Sequence, residues 1–163
     1  MRVLVTGGAG YIGSQVALDL RRRGDEPVIL DNLGKGHREA VTAGRFIEGD
    51  VGDTGLVKEL LRNERIEAVI HLAADSLVGE SVENPGKYFH NNITGALALL
   101  DAMTACGVKR LIFSSTAAVY GEPEKTPIPE DHPLKPTNPY GFSKLTCEGM
   151  FAAYDRAYGL RFI

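Results

Sequence analysis

Tyr140 and Lys144 stand four residues apart in Asn138-Pro139-Tyr140-Gly141-Phe142-Ser143-Lys144. On a helix that spacing puts a phenol and an ammonium on one face. A phenol takes up a proton only where its anion is stabilised, and a neighbouring cation does that. Asn138 is a good N-cap and Pro139 a good first helical residue, so the pair opens a helix. Tyr/Lys pairs at this spacing arise readily by chance, and position decides their meaning. Here the pair follows an apolar, strand-like run, Lys109 to Ser114, that ends in Ser114, Ser115 and Thr116. Hydroxyls there lie at the carboxyl edge of a sheet, where open α/β folds bind their ligands. Thr116, Tyr140 and Lys144 are the candidate catalytic set, with Thr116 bridging a substrate hydroxyl and Tyr140.

A second group of residues binds. Thr6-Gly7-Gly8-Ala9-Gly10-Tyr11-Ile12-Gly13 follows the first apolar run and runs straight into a helical pattern. Gly7, Gly10 and Gly13 at three-residue intervals permit a tight turn, let backbone N–H groups approach a pyrophosphate, and allow the helix to pack close to the strand. Asp31 closes the second strand, where a carboxylate accepts hydrogen bonds from the adenosine ribose and repels a 2′-phosphate; no Arg follows it. The ligand expected is NAD, not NADP. Asp50 and Val51, after the third strand, are placed to meet the adenine edge through a carboxylate and a backbone N–H.

The elements that must position these residues alternate. Strands are predicted over Arg2 to Thr6, Pro27 to Asp31, Arg45 to Glu48, Glu67 to Leu72 and Lys109 to Ser114, and helices over Tyr11 to Arg23, Thr54 to Glu64, Asn84 to Cys106 and Asn138 to Tyr158. Gly24 and Gly107 are their C-caps. Strands apolar on consecutive residues suit a parallel sheet covered on both faces. The fold expected is α/β, a doubly wound parallel sheet of the Rossmann NAD-binding type, one domain over residues 1–163. Leu160 to Ile163 open a sixth strand, at which the sheet is expected to be truncated. The long helix from Asn84 presents Ile93, Leu97, Leu100 and Met103 to the sheet. Asn32 to Gly44 and the segment Gly121 to Pro136, which holds five prolines, read as loops.

Composition excludes other classes. With 18 basic and 21 acidic side chains the formal charge is -3, the wrong sign for a nucleic-acid partner. Cys106 and Cys147 form no CxxC pair and read as reduced core thiols without a basic partner; His37, His71, His90 and His132 lack metal-ligand spacing, so no metal is expected. No apolar run approaches membrane-spanning length and no charged leader precedes the first strand, so a cytoplasmic protein without a membrane partner is expected.

In this order, TGGAGYIG, LDNL, EGD, HLAA, NN, FSSTAAVYGE and NPYGFSK resemble the extended short-chain dehydrogenase/reductase family, in particular its members acting on nucleotide sugars. The resemblance runs the length of the chain, and VGES at Val78 to Ser81 and FSSTAAVYG at Phe113 to Gly121 are its most epimerase-like pieces. It implies that Thr116, Tyr140 and Lys144 are catalytic, Tyr140 and Lys144 also touching the cofactor and Lys144 holding the nicotinamide ribose. NAD would be lined by Gly7, Gly10, Tyr11, Ile12 and Gly13, then by Asp31, Asn32, Leu33, Gly34, Lys35 and Gly36. Asp50, Val51, Leu72, Ala73, Ala74, Asp75, Ser76, Asn91 and Ser114 complete the lining. The implied activity is epimerisation of a UDP-hexose at C4 through a 4-keto intermediate, with Tyr140 taking and returning the 4-hydroxyl proton. The sequence departs from some relatives in having Ser76 where they carry lysine, which removes a cation near the cofactor phosphates, and threonine at 116 where others have serine. Sugar dehydratases of this family place an Asp-Glu pair where Ala117 and Ala118 stand, which weighs against elimination; a hexuronic-acid epimerase or decarboxylase is the nearer alternative. The resemblance also implies a homodimer through the helix over Asn84 to Cys106 and the Tyr140 helix, and a C-terminal sugar-binding domain that this chain lacks. A reading from another class follows, an NAD-binding module without turnover.

Overall fold

The computed structural model describes residues 1–163. Six parallel strands, β1 (Arg2–Thr6), β2 (Glu26–Asp31), β3 (Arg45–Glu48), β4 (Ala68–His71), β5 (Arg110–Phe113) and β6 (Arg161–Phe162), lie side by side in the order β3-β2-β1-β4-β5-β6. Val3, Leu4 and Val5 of β1 and Ile29 and Leu30 of β2 are buried on consecutive residues, because helices cover both faces of the sheet. Register aligns the functional ends: Thr6 pairs with Leu30 on one side and with His71 on the other, and His71 pairs with Phe113. The strand order reverses between β1 and β4, which opens a crevice above their carboxyl ends.

Helices α1 (Tyr11–Arg22), α2 (Thr54–Asn63) and α6 (Pro139–Tyr158) fall within a residue of the predicted spans. Asp53 caps α2 by accepting from the Leu56 N–H at 3.0 Å. One core joins Leu4, Leu30 and Val69 of the sheet to Val57 and Leu61 of α2, Leu99 and Leu100 beyond them, and Phe151 of α6.

The helix predicted over Asn84 to Cys106 is corrected by the structure. It comprises α4 (Pro85–Tyr88), a π-helical turn over Phe89–Thr94 and α5 (Gly95–Cys106), and a further helix, α3 (Val78–Glu83), precedes it. Asn84 breaks the chain with a non-helical φ of -136° and ψ of 67°, and its side chain caps the restart at Lys87. Leu100 and Met103, predicted to face the sheet, are buried in the core; Leu97, predicted with them, is 39% exposed, and Leu99 is buried beside Leu100. Asn32 to Gly44 holds only a short 3-10 turn, Arg38–Ala40. No helix is long and apolar enough to cross a membrane.

Candidate active site

The turn from β1 to α1 is folded tightly on itself. A Cβ on Gly13 would stand 2.2 Å from the Gly7 carbonyl oxygen, and one on Gly7, whose φ is +71°, would stand 2.7 Å from the Ala73 nitrogen. Side chains here would collide with the turn itself and with the loop after β4, so only glycine lets the backbone close this tightly. Tyr11 and Ile12 point their side chains outward, 91% and 60% exposed; what they offer a ligand is the pair of amides opening α1, which have no partner within the helix. This donor set fits a dinucleotide diphosphate.

Asp31 is buried, and its carboxylate first holds the protein's own backbone. One oxygen accepts from the Ala9 N–H at 3.0 Å and the other from the Leu33 N–H at 2.8 Å. The residue thereby fixes the glycine turn to the loop after β2, and each oxygen keeps a lone pair for a ribose hydroxyl. Asp50 does the same one strand over, accepting from Asn32 Nδ2 at 2.8 Å and from the Gly52 N–H at 2.7 Å.

A cleft of about 620 Å³ opens above these ends, walled by Gly7, Gly10, Asp31, Asn32, Gly34, Lys35, Gly36, Asp50, Val51, Leu72, Ala73, Ala74, Asp75 and Asn91. Leu30, Gly49, Lys87 and His90 also line it and were not among the residues expected from sequence. The first two directly precede Asp31 and Asp50; Lys87 stands four residues before Asn91 in a helical run, the spacing that would have revealed it. Gly13, Tyr11, Ile12, Leu33, Ser76 and Ser114 lie outside the wall, as do Thr116, Tyr140 and Lys144.

That last trio lies around the end of β5 and the start of α6. Thr116 opens a 3-10 turn, Ala117–Tyr120, its hydroxyl oxygen accepting from the Ala118 N–H at 3.1 Å and keeping its own proton to donate. Asn138 caps α6 by accepting from the Gly141 N–H at 2.8 Å. Gly141 lets the first turn of α6 press against that 3-10 turn, since a Cβ there would meet the Ala118 carbonyl oxygen at 2.6 Å. The Tyr140 ring sits edge-on to the buried Tyr88, centroids 6.4 Å apart. Lys144 is 3% exposed; its ammonium donates to the Ser114 carbonyl at 2.8 Å and lies 4.5 Å from the Phe113 ring centre. No carboxylate neutralises it, and burial pushes it down to about 8. Ser115 donates to Glu148, tying the end of β5 to α6. Lys144 also corrects the expectation that Cys147 has no basic neighbour, although burial still pushes that thiol up to about 11.

Beneath the cleft, His71 Nδ1 and Thr6 Oγ1 are 2.7 Å apart, and Thr6 Oγ1 accepts from the Ala73 N–H at 3.4 Å. Burial first, then the Lys144 charge, hold the imidazole down at about 3. His71 is a neutral prop for the loop after β4. Its folded value lies below its unfolded one, so the stability it confers is complete above pH 6.5 and is lost as pH falls toward 3. At about 1.4 kcal/mol per pH unit, urea unfolding at pH 7 and pH 4.5 should show the wild type losing about 2–3 kcal/mol more than His71→Gln. Equal losses would mean the ring is protonated in the folded state.

Asn92 was not among the candidate residues, and its contacts are long-range. It sits in the π turn, 2% exposed. Its amide donates to the Asp75 carbonyl at 3.0 Å and to Ser143 Oγ at 3.0 Å, and its side-chain oxygen accepts from the Asp75 N–H at 2.9 Å. The Asn92 backbone carbonyl accepts from the Cys147 thiol at 3.4 Å, and Ser143 donates to the Tyr140 carbonyl at 2.7 Å. One side chain thus joins the loop after β4 to the first turns of α6.

Comparison with known proteins matches this arrangement. The description of the NAD dependent epimerase/dehydratase family fits residues 3–163. The chain is 52% identical to a UDP-glucose 4-epimerase of Lactobacillus helveticus over 99% of its own length and 49% of the relative's. With that of Corynebacterium glutamicum it is 54% identical over 98% and 48%. A crystal structure of UDP-glucose 4-epimerase from Brucella ovis in complex with NAD superposes with a TM-score of 0.97 at 48% identity, covering 99% of this chain and 50% of that one. The chain spans about half the length of the curated relatives it matches.

Proposed function

This chain belongs to the NAD dependent epimerase/dehydratase family, and from that premise we propose that it binds NAD in the cleft and inverts the C4 hydroxyl of a UDP-hexose, interconverting UDP-galactose and UDP-glucose. The observation that carries the reading is the buried, unneutralised Lys144 ammonium on the same helix as Tyr140, bound to the Ser114 carbonyl at the end of β5. The names of the relatives, UDP-glucose 4-epimerases, supply the sugar.

NAD, when bound, supplies reversible oxidation at the sugar's C4 carbon, so that no net oxidation remains. The chain's own residues handle the proton. Tyr140 takes it from the 4-hydroxyl at its phenolic oxygen and gives it back to the opposite epimer. Thr116, its oxygen already satisfied by Ala118, donates to that phenolate and holds the substrate hydroxyl in line. Lys144 stabilises the phenolate and reaches the nicotinamide ribose. Gly7, Gly10, Tyr11, Ile12 and Gly13 hold the diphosphate by backbone, Asp31 the adenosine ribose, and Asp50 with Val51 the adenine. Ala117 and Ala118 offer no acid or base, which favours epimerisation over elimination.

The test is incubation of the purified protein with UDP-galactose and NAD, followed by chromatographic detection of UDP-glucose. Conversion is expected. Thr116→Val removes one hydrogen bond to a charged oxygen, about 1.5–3 kcal/mol, and should lower kcat by about 10- to 100-fold. NAD binding without product would favour a nucleotide-binding module and sink the epimerase reading. The reading carries with it a cytoplasmic setting, in keeping with two free thiols, and a homodimer through α5 and α6; α5 leaves Leu97 exposed. A sedimentation profile showing monomer alone would remove the dimer.

A further inference from the structure

We propose that Lys87 is a phosphate-binding residue of the cofactor cleft, meeting the dinucleotide's diphosphate from a different wall than the glycine turn; the inference rests on the cleft being the NAD site. The cleft contains three carboxylates, Asp31, Asp50 and Asp75, and only two lysines, Lys35 and Lys87. A ligand with a doubly negative diphosphate therefore enters a wall set that is acidic overall, and helix α1 supplies only partial charges against it. Lys35 leaves the loop after β2 beside Asp31. Lys87 comes from α4, beside the loop after β4.

The ammonium of Lys87 is held in place in advance. It pairs with Glu80 of α3 and stands 3.7 Å from Asp75. Glu80 is itself anchored, accepting from the hydroxyl of the fully buried Tyr88 at 2.9 Å. The tight bond to Glu80 raises Lys87 above the ordinary lysine value, so the charge is present at every working pH. An ammonium has three donors. Glu80 takes one and the long Asp75 contact engages a second loosely, which leaves the third for a phosphate oxygen. With its side chain 36% exposed, Lys87 reaches the cleft without the desolvation that a buried cation would suffer.

The experiment is calorimetric titration of the purified protein and of Lys87→Ala with NAD, ADP, NADP and adenosine, with thermal unfolding of both proteins alongside. Lys87→Ala should weaken NAD and ADP about tenfold and leave adenosine unchanged. Lys87→Arg should restore ADP affinity to within about twofold, and the loss should shrink at about 0.5 M salt, as a screened charge contact must. Unchanged NAD and ADP affinity in Lys87→Ala overturns the proposal while leaving the cofactor reading intact. An equal loss for adenosine overturns it too, by showing that α4 has merely loosened. A loss confined to NADP would place the ammonium at the ribose 2′ position and overturn the diphosphate assignment. No binding of NAD by the wild type overturns the cofactor reading and this proposal together.

Discussion

Asn92→Ala should lower the folding free energy by about 2–3 kcal/mol, since a buried polar group left unpaired costs about 1–3 kcal/mol and a half-buried one less. The truncation strands part of the Ser143 hydroxyl, which is fully buried, and the Asp75 N–H and carbonyl, which are partly buried beside the cleft. Asn92→Asp should be worse: it keeps the acceptor for the Asp75 N–H, loses both donors, and sets a carboxylate against the Asp75 carbonyl oxygen. Asn91→Ala, one residue away and half-buried, gives up a single 3.2 Å contact to Asn92 and should change stability by less than about 1 kcal/mol. Urea unfolding of the three variants checks the ranking. The functional consequence is separate. Ser143 passes its bond to the Tyr140 carbonyl, so a detached Asn92 frees both walls of the site to move. Activity should fall in Asn92→Ala even at temperatures where the variant is folded. A variant as stable as Asn91→Ala would show that the π turn holds itself without the Asn92 amide.

What the sequence made legible and what it did not divide along one physical line. Strands β1 to β5 were readable because their apolar runs are local, and the glycine turn because its spacing is dictated by a single short stretch of backbone. Tyr140 and Lys144 were readable because both ride one helix whose start Asn138 and Pro139 announce. Asn92 was not, because its partners Asp75 and Ser143 lie 17 and 51 residues away, and an asparagine in a helix carries no periodic signal. The π turn was hidden for the same reason: the Asn92 carbonyl is taken by a thiol from α6, a contact no pattern within residues 84–106 predicts. Lys87 fell between the two cases, its spacing from Asn91 visible, its restraint by Glu80 not.

Lys144→Met should cut turnover by orders of magnitude without destabilising the fold, and that combination is what identifies the residue as held for chemistry. In the fold the ammonium is 3% exposed, with a carbonyl and an aromatic ring for company. Burial lowers it from 10.5 to about 8, which at pH 7 corresponds to about 3 kcal/mol by which the folded state is disfavoured. Methionine keeps the length and the contact with Phe113 and removes the charge, at the expense of a charge-assisted bond to the Ser114 carbonyl, worth about 1.5–3 kcal/mol. The net gain expected at pH 7, measured by urea unfolding without added NAD, is about 0–1.5 kcal/mol. Its pH dependence follows from the direction of the shift. Between about 8 and 10.5 the unfolded chain still binds the proton that the folded protein has released, so wild-type stability rises with pH across that window. The advantage of Lys144→Met should therefore shrink as pH climbs through it. Turnover should fall by about 10²- to 10⁴-fold, the range for losing a group on which acid–base transfer depends, because Tyr140 then has no cation to stabilise its anion. A variant that is both inactive and destabilised would mean that the ring and carbonyl more than offset the desolvation of Lys144, making it a structural residue as well. A variant that is stabilised and still active would remove Lys144 from the reaction.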